Sequence, residues 1–177
     1  MKENSIQLVL VDDKDQICGT KGKIDVHKEG LRHRAFSVFI LRKRKKLEVL
    51  LQQRYVGKYH CGGLWANTCC GHPNPGMATD MAARERLSYE MGLKIDLSYA
   101  GVFEYYQAFD NGLIEHEIDH VYYAFNDQDP VMHPEEVQDF KWMPMDELIK
   151  SMGQPNAPFV AWVRPALAVL MSHLKEW

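Results

Sequence analysis

Residues 6–11, Ile-Gln-Leu-Val-Leu-Val, form a short, mostly apolar run, and the polar, turn-forming run 12–16 separates it from a second stretch over 17–26. A short apolar run bounded by turn residues predicts a strand, so this segment reads as a strand, a turn and a second strand. Residues 35–41 are apolar nearly throughout and predict another strand. The basic run 42–46 reads as its exposed hairpin turn, residues 47–53 as the returning strand, and 55–63 as a loop rich in glycine and aromatics. After Gly71-His72-Pro73-Asn74-Pro75-Gly76 the pattern predicts a helix over 78–91, capped by Thr79 or Asp80 and ended by Gly92 in the left-handed conformation. Residues 99–109 and 113–125 flank the turn Asp110-Asn111-Gly112 and predict a long hairpin. Residues 139–142 read as a short strand, 146–152 as a short helix and 158–175 as a final helix. In that helix Pro158 suits the first turn, whereas Pro165 should kink or interrupt it. This order predicts an α/β (α+β) fold whose mixed, largely antiparallel sheet is flanked by helices.

Length and charge narrow the function classes. At 177 residues the chain suits one domain, 1–177, large enough to bury a substantial core. A net charge of -3 argues against a general nucleic-acid binder, so an anion site has to be a local cluster of Lys and Arg. No apolar run approaches the roughly 20 residues that cross a bilayer. The start Met1-Lys2-Glu3-Asn4-Ser5 lacks the apolar core of a signal peptide and Lys175-Glu176-Trp177 is no obvious address tag, so a cytoplasmic location is the default expectation. The oligomeric state is left open.

The chemistry concentrates in two segments. Asn67-Thr68-Cys69-Cys70-Gly71-His72-Pro73 and Glu115-His116-Glu117 together supply thiol, imidazole and two carboxylates, groups that hold a divalent metal and move protons at neutral pH. Glu115 and Glu117, two apart on a strand, share a face, and His116 points the other way. His27 and His33 flank a loop carrying Gly30, so both can fold onto one centre. With His72 they make a mixed nitrogen and oxygen set suited to Mn, Fe, Zn or Mg. Taken singly, each histidine reads equally as a structural residue. Lys23, Arg54, Lys58 and Arg86 lie near the same motifs, where the plain reading is solvated charge. Arg86 precedes Glu90 by four residues, which makes either a helix ion pair or a phosphate-binding arginine beside a metal-binding glutamate. Cys18, Cys61, Cys69 and Cys70 show no CxxC spacing and no disulfide scaffold, and any one of them reads as a small buried hydrophobe. Cys70 stands apart through its neighbours. Trp162 shares a helical face with Phe159 and Val163 and reads as packing from spacing alone.

In their order these landmarks resemble the type I isopentenyl diphosphate:dimethylallyl diphosphate isomerases, a family of Nudix-type fold. The resemblance runs from Gly19-Thr20 to Trp162 and includes Lys23, His27, the run from Gly30 to Ser37, Arg54, Lys58, the run from Trp65 to Pro73, Arg86, Tyr89-Glu90-Met91-Gly92, Glu115 and Glu117. The general Nudix box, G-x5-E-x7-R-E-U-x-E-E-x-G-U, aligned on Gly71 and Gly92, puts Met77 at its first Glu, Glu85-Arg86 at its Arg-Glu and Tyr89 at one of the following acids. Glu90 remains. The resemblance implies Cys70 and Glu117 as an acid–base pair across the substrate double bond, Trp162 as an aromatic wall beside a developing carbocation, and Tyr106 near the catalytic Glu. It implies His27, His33, His72, Glu115 and Glu117 as ligands of a tightly held divalent metal (Mn, Zn or Mg), and Glu90 as ligand of a Mg ion arriving with the diphosphate. Lys23, Arg54, Lys58 and Arg86 would surround that diphosphate of a prenyl substrate. Gly62 departs from the family, many of whose members carry Pro there, and should loosen the turn. The alternatives are a Nudix pyrophosphohydrolase and a non-catalytic metal- or diphosphate-binding protein.

Overall fold

The sheet opens in the middle, and that opening builds the site. β3 (His33–Lys43) and β4 (Leu47–Arg54) pair as an antiparallel hairpin only near their turn, from Leu41↔Val49 to Lys43↔Leu47. Beyond that point they separate, and the segment 65–71 enters the gap. β5 (Trp65–Ala66) pairs with β4 and β6 (Cys69–Gly71) pairs with β3. Asn67 and Thr68 sit at the apex of this wedge, fully buried. Their side chains take over hydrogen bonds that a continuous ladder would have made. Thr68 Oγ1 accepts from the Ile40 N–H at 2.8 Å and donates to the Leu50 carbonyl at 2.6 Å. Asn67 Nδ2 donates to the carbonyls of Val38 and Cys69 at 3.2 and 2.7 Å.

The computed structural model describes residues 5–58 and 60–175; the terminal readings at 1–4 and 176–177, and Tyr59 of the expected loop, lie outside them. Nine strands among the described residues form one sheet. β1 (Gln7–Val11) and β2 (Ile17–Gly22) form an antiparallel hairpin that meets β3 at Leu10↔His33. β7 (Ser98–Ala108) and β8 (Ile114–Phe125) form the long hairpin, and β8 runs parallel to β3 from His33↔Glu117 to Leu41↔Phe125. β9 (Val137–Pro144) lies antiparallel on the other side of β4. The sheet is thus mixed and largely antiparallel, as the sequence pattern predicts.

The middle of β3, residues 35–41, is apolar nearly throughout because both of its faces are covered. Phe36, Val38 and Ile40 pack toward α2 (Thr79–Met91) with Ala83, Leu87 and Met91. Phe39 and Leu41 face the opposite way, toward Leu148 of α3 (Met145–Met152) and Leu167 and Leu170 of α4 (Val163–Lys175). The same alternation places His33, Ala35 and Ser37 on the α4 side of the sheet, where the core gives way to polar groups.

Three local expectations need correction. The strand expected over 17–26 ends at Gly22, and a helix, α1 (Lys23–Glu29), follows. Its seven residues bury Val26 and His27, and so short a helix leaves no helical period to read. α2 begins after Ala78, so Thr79 and Asp80 fall inside its first turn and do not cap it, while Gly92 does end it at φ 67°. α4 begins at Val163, five residues later than expected. Pro158 lies in an extended segment that pairs with β5, its carbonyl accepting from the Trp65 N–H at 2.8 Å. Pro165 falls in the first turn of α4, where no intrahelical partner exists for the N–H it lacks, so no kink is needed.

The wedge makes a prediction for stability. Thr68→Val keeps the shape but leaves the Ile40 N–H and the Leu50 carbonyl buried and unpaired. Each such group costs about 1–3 kcal/mol, so urea unfolding should show a loss of roughly 2 kcal/mol or more. An unchanged urea midpoint would mean that the opening is held by packing alone.

Candidate active site

Four elements deliver one ligand each to a common point. His27 comes from α1, His33 opens β3, His72 follows β6, and Glu117 lies on β8 directly beside His33 in the parallel register. One side-chain nitrogen or oxygen from each lies within 4.8 Å of the others. His33 Nε2 is 3.2 Å from His72 Nε2, and Glu117 Oε1 is 2.9 Å from His72 Nε2 and 3.5 Å from His33 Nε2. The other ring nitrogens of two histidines are committed to the backbone: Nδ1 of His27 donates to the Lys23 carbonyl at 2.7 Å, and Nδ1 of His33 to the Leu31 carbonyl at 2.8 Å. Such bonds fix the tautomer that offers Nε2 as a lone pair.

The protonation states agree with that geometry. Burial, reinforced by the neighbouring imidazoles, holds His27 down to about 3. Burial likewise lowers His72 to about 4 against the opposing pull of Glu117. Both rings are neutral at pH 7, the form that binds metal. Burial works against the Glu117 charge, but its contacts with His33 and His72 outweigh it and keep the carboxyl below its usual range. Three imidazoles and one carboxylate converging in a buried position suit a divalent cation. Glu115, expected as a fifth ligand, shares the Glu117 face but stands outside this group. Its Oε1 accepts from His60 Nε2 at 2.6 Å, and its Oε2 is buried without a hydrogen bond.

This cluster opens into a cavity of about 1170 Å³ that also receives Lys23, Arg54, Lys58, Arg86, Glu90, Cys70 and Trp162. At its far side cations and carboxylates interlock. Arg86 donates to Glu90 at 2.7 Å and to Glu136 at 2.6 Å, and Lys58 pairs with Glu136 and lies 3.7 Å from Glu90. Gln52 Nε2 fixes the second Glu90 oxygen at 2.8 Å. The i, i+4 pair Arg86–Glu90 is therefore part of a partly buried network and more than a surface bridge.

Cys70 and Cys69 diverge as adjacent residues on a strand must. Cys69 is fully buried against α2. Cys70 faces the other way, toward the cluster of Ala66, Tyr105 and Trp162, and Arg54 Nη1 approaches its sulfur at 3.7 Å. Burial pushes the Cys70 thiol up to about 12 despite Arg54, so at neutral pH it carries its proton. Trp162 is held by its indole N–H, which donates to Asn67 Oδ1 at 3.2 Å, and the Arg54 guanidinium lies 5.3 Å from the centre of its ring system.

Tyr106 does not reach the site. It pairs with His116 on the outer face of the β7–β8 hairpin and is 61% exposed. Its neighbour Tyr105 stands opposite Glu117 and is buried, and burial together with Glu115 and Glu117 pushes its hydroxyl well above the usual phenol range. The tyrosine beside Glu115 and Glu117 is Tyr105. Gly62 also corrects an expectation: a Cβ there would collide with the Val56 carbonyl, so this loop is closed tightly over its own backbone. His60, Tyr105, Glu136 and Gln52 all escaped the sequence reading. Strand parity was available for Tyr105, whereas nothing in the spacing ties His60 or Glu136 to residues so distant in the chain.

A NUDIX domain model matches residues 31–163, and the chain belongs to that class. The fold agrees: the structure superposes on that of DR0079 from Deinococcus radiodurans with a TM-score of 0.75, 16% identity, and coverage of 92% of this chain and 98% of that one. It also superposes on a Caenorhabditis elegans Ap4A hydrolase with a TM-score of 0.60, 20% identity, and coverage of 81% and 98%. Within the class, sequence is more specific. The chain is 42% identical to isopentenyl-diphosphate Delta-isomerase 2 of Aromatoleum aromaticum over 166 residues, 94% of this chain and 87% of the relative. It is 43% identical to isopentenyl-diphosphate Delta-isomerase of Serratia proteamaculans over 171 residues, 96% and 94% of the two chains. The chain belongs to the isopentenyl-diphosphate Delta-isomerase family.

The buried imidazoles set a pH dependence. Unfolded, His27 and His72 take up protons below about 6.5; folded, they resist down to about 3 and about 4. The unfolded chain therefore binds more protons in that window, and stability of the metal-free protein should be full above pH 7 and fall as pH drops toward 4. The loss should be on the order of 3 kcal/mol for each imidazole by pH 4, and His27→Gln should remove about half of it. Urea midpoints that do not move between pH 7 and pH 5 in the presence of a chelator would contradict buried, neutral imidazoles.

Proposed function

We propose that this chain interconverts isopentenyl diphosphate and dimethylallyl diphosphate by moving protons on and off carbon, with Cys70 and Glu117 as the acid–base pair. A proton adds to the terminal CH2 of the alkene, a tertiary cation develops at the branched carbon, and a proton leaves the carbon on its other side. The double bond shifts and no electron is gained or lost overall. Cys70 and Glu117 line one cavity from different strands, β6 and β8, as attack from two faces of an alkene requires. Burial favours the thiol over the thiolate and two imidazoles favour the carboxylate, so the resting pair holds one acid and one base. This complementary pair is the observation that carries the reading.

The other residues serve the same step. Trp162 presents an aromatic face whose quadrupole attracts positive charge, worth up to about 2 kcal/mol when water is excluded. Lys23, Arg54, Lys58 and Arg86 bind the diphosphate, with Glu90 as ligand for a Mg ion that arrives with it. His27, His33, His72, Glu117 and Glu115 hold the second divalent metal, Mn, Zn or Mg. When bound, that metal fixes Glu117 in place and lowers the cost of its negative charge. Tyr105 lies where its hydroxyl can steady the two carboxylates.

Hydrolysis is the weaker reading. Metal-activated water in the Nudix box relies on a row of acids, and this chain puts Met77 and Tyr89 at two of their positions. Among the described residues no helix is long and apolar enough to cross a membrane, consistent with a small-molecule substrate met outside the bilayer.

Proton NMR of isopentenyl diphosphate with the enzyme in heavy water tests the proposal. It should show conversion to the dimethylallyl isomer with deuterium at the exchanged carbons and no free phosphate or pyrophosphate. Cys70→Ala should abolish conversion, and Cys69→Ala should retain most of it, because Cys69 faces the α2 core. Phosphate release without isomerisation would identify a hydrolase, and binding without deuterium incorporation a non-catalytic protein.

A further inference from the structure

We infer that His60 is a positioning residue for the metal centre, holding one oxygen of Glu115 so that the other remains available to the cation. His60 lies in the loop between β4 and β5, and its Nε2 donates to Glu115 Oε1 at 2.6 Å. The second carboxylate oxygen, Oε2, is buried and makes no hydrogen bond. A buried carboxylate oxygen without a donor is costly, and a cation removes that cost. Glu115 follows the strand face of Glu117, which is already in the ligand group, so both carboxylates project to the same side of the sheet.

His60 is itself fixed on several sides. Its ring lies 6.0 Å from that of His27, 6.2 Å from Trp162 and 6.0 Å from Phe109, and its carbonyl accepts from Arg54 Nη2 at 3.3 Å. The imidazole thus spans from the ligand cluster to the aromatic wall. The same loop carries Lys58, which reaches Glu136 and Glu90 on the diphosphate side. One side chain therefore ties the diphosphate-facing loop to the metal centre. Carboxylates that ligate metals are ordinarily oriented by such an outer partner, and losing it typically costs about 10–100-fold in metal affinity.

The inference rests on reading the His27, His33, His72 and Glu117 cluster as a metal site, and the test separates the two. Protein stripped with a chelator is titrated with Mn2+ and with Zn2+ in competition with a chromophoric chelator at pH 7.5. Wild type should bind one ion tightly. His60→Ala should bind it about 10–100-fold more weakly. His60→Gln, which restores an N–H donor, should recover part of that loss. Turnover of His60→Ala should return with excess metal while KM for the diphosphate stays near wild type. His60→Leu, which fills the ring's space without a donor, takes the place of His60→Ala if the latter does not fold. His60→Ala or His60→Leu binding metal as tightly as wild type, or more tightly, overturns the inference and makes His60 a bystander or a competitor for Glu115. Wild type that binds neither ion overturns the metal reading itself, and this result is seen before any substitution is made.

Discussion

The structure depends on keeping β3 and β4 apart. Two antiparallel strands that begin as a hairpin would ordinarily continue as one, and each lost rung leaves an N–H or a carbonyl in need of a partner. Here the segment 65–71 fills the gap, pairing outward to both strands, and the side chains of Asn67 and Thr68 satisfy the groups at its apex. Cys70 is carried into the cavity by β6, so its thiol lies where it does because the sheet is opened there. Asn67 also accepts the indole N–H of Trp162, which couples the opening to the aromatic wall contributed by the segment before α4.

Around this opening the charges are divided into two regions. At one end, neutral imidazoles surround a carboxylate they keep ionised. At the other, Lys58 and Arg86 are balanced by Glu90 and Glu136. Burial holds the Glu136 charge at a cost, yet the hydrogen bond from Lys58 and the attraction of Arg86 outweigh it and keep the carboxyl below its usual range. On the proposed reading, a diphosphate entering this second region would meet cations already ordered by carboxylates, and it would replace existing partners with little reorganisation of the lysine and arginine. Between the regions stand Cys70 and Trp162, groups that can exchange a proton or face a cation without supplying a strong nucleophile to trap it.

Much of the fold was legible from periodicity. The short apolar run of β1, the apolar run of β3, and the turn at Asp110-Asn111-Gly112 each mark an element that the structure contains. α1 was not legible, because seven residues do not establish a helical period, and its misreading hid the fact that His27 projects from a helix. The start of α4 was misplaced because Pro158 suits a helix N-terminus and equally an edge segment, and pairing with Trp65 decides between them. In the site, the shared face of Glu115 and Glu117 followed from spacing, whereas Cys70 was singled out from Cys69 by its neighbours and by the family resemblance. Tyr106 was misassigned by one residue, and in a strand one residue is a change of face. Counting back from the Asp110-Asn111-Gly112 turn places Tyr105 opposite Glu117. His60 and Glu136 act through contacts 55 and 50 or more residues away, on Glu115 and on Arg86 and Lys58 respectively, and no local pattern encodes such contacts.

The claim that the opening of the sheet positions the catalytic groups is tested most directly by a double-mutant cycle between Asn67→Ala and Trp162→Phe, read in kcat for isopentenyl diphosphate at a temperature where all variants are folded. If Asn67 acts on catalysis by holding the indole, the second substitution removes little that the first has not already removed. A coupling on the order of 1 kcal/mol is then expected, with the double variant losing clearly less than the product of the two single losses. Losses that simply multiply would show that Trp162 is positioned independently of the wedge and would contradict the account.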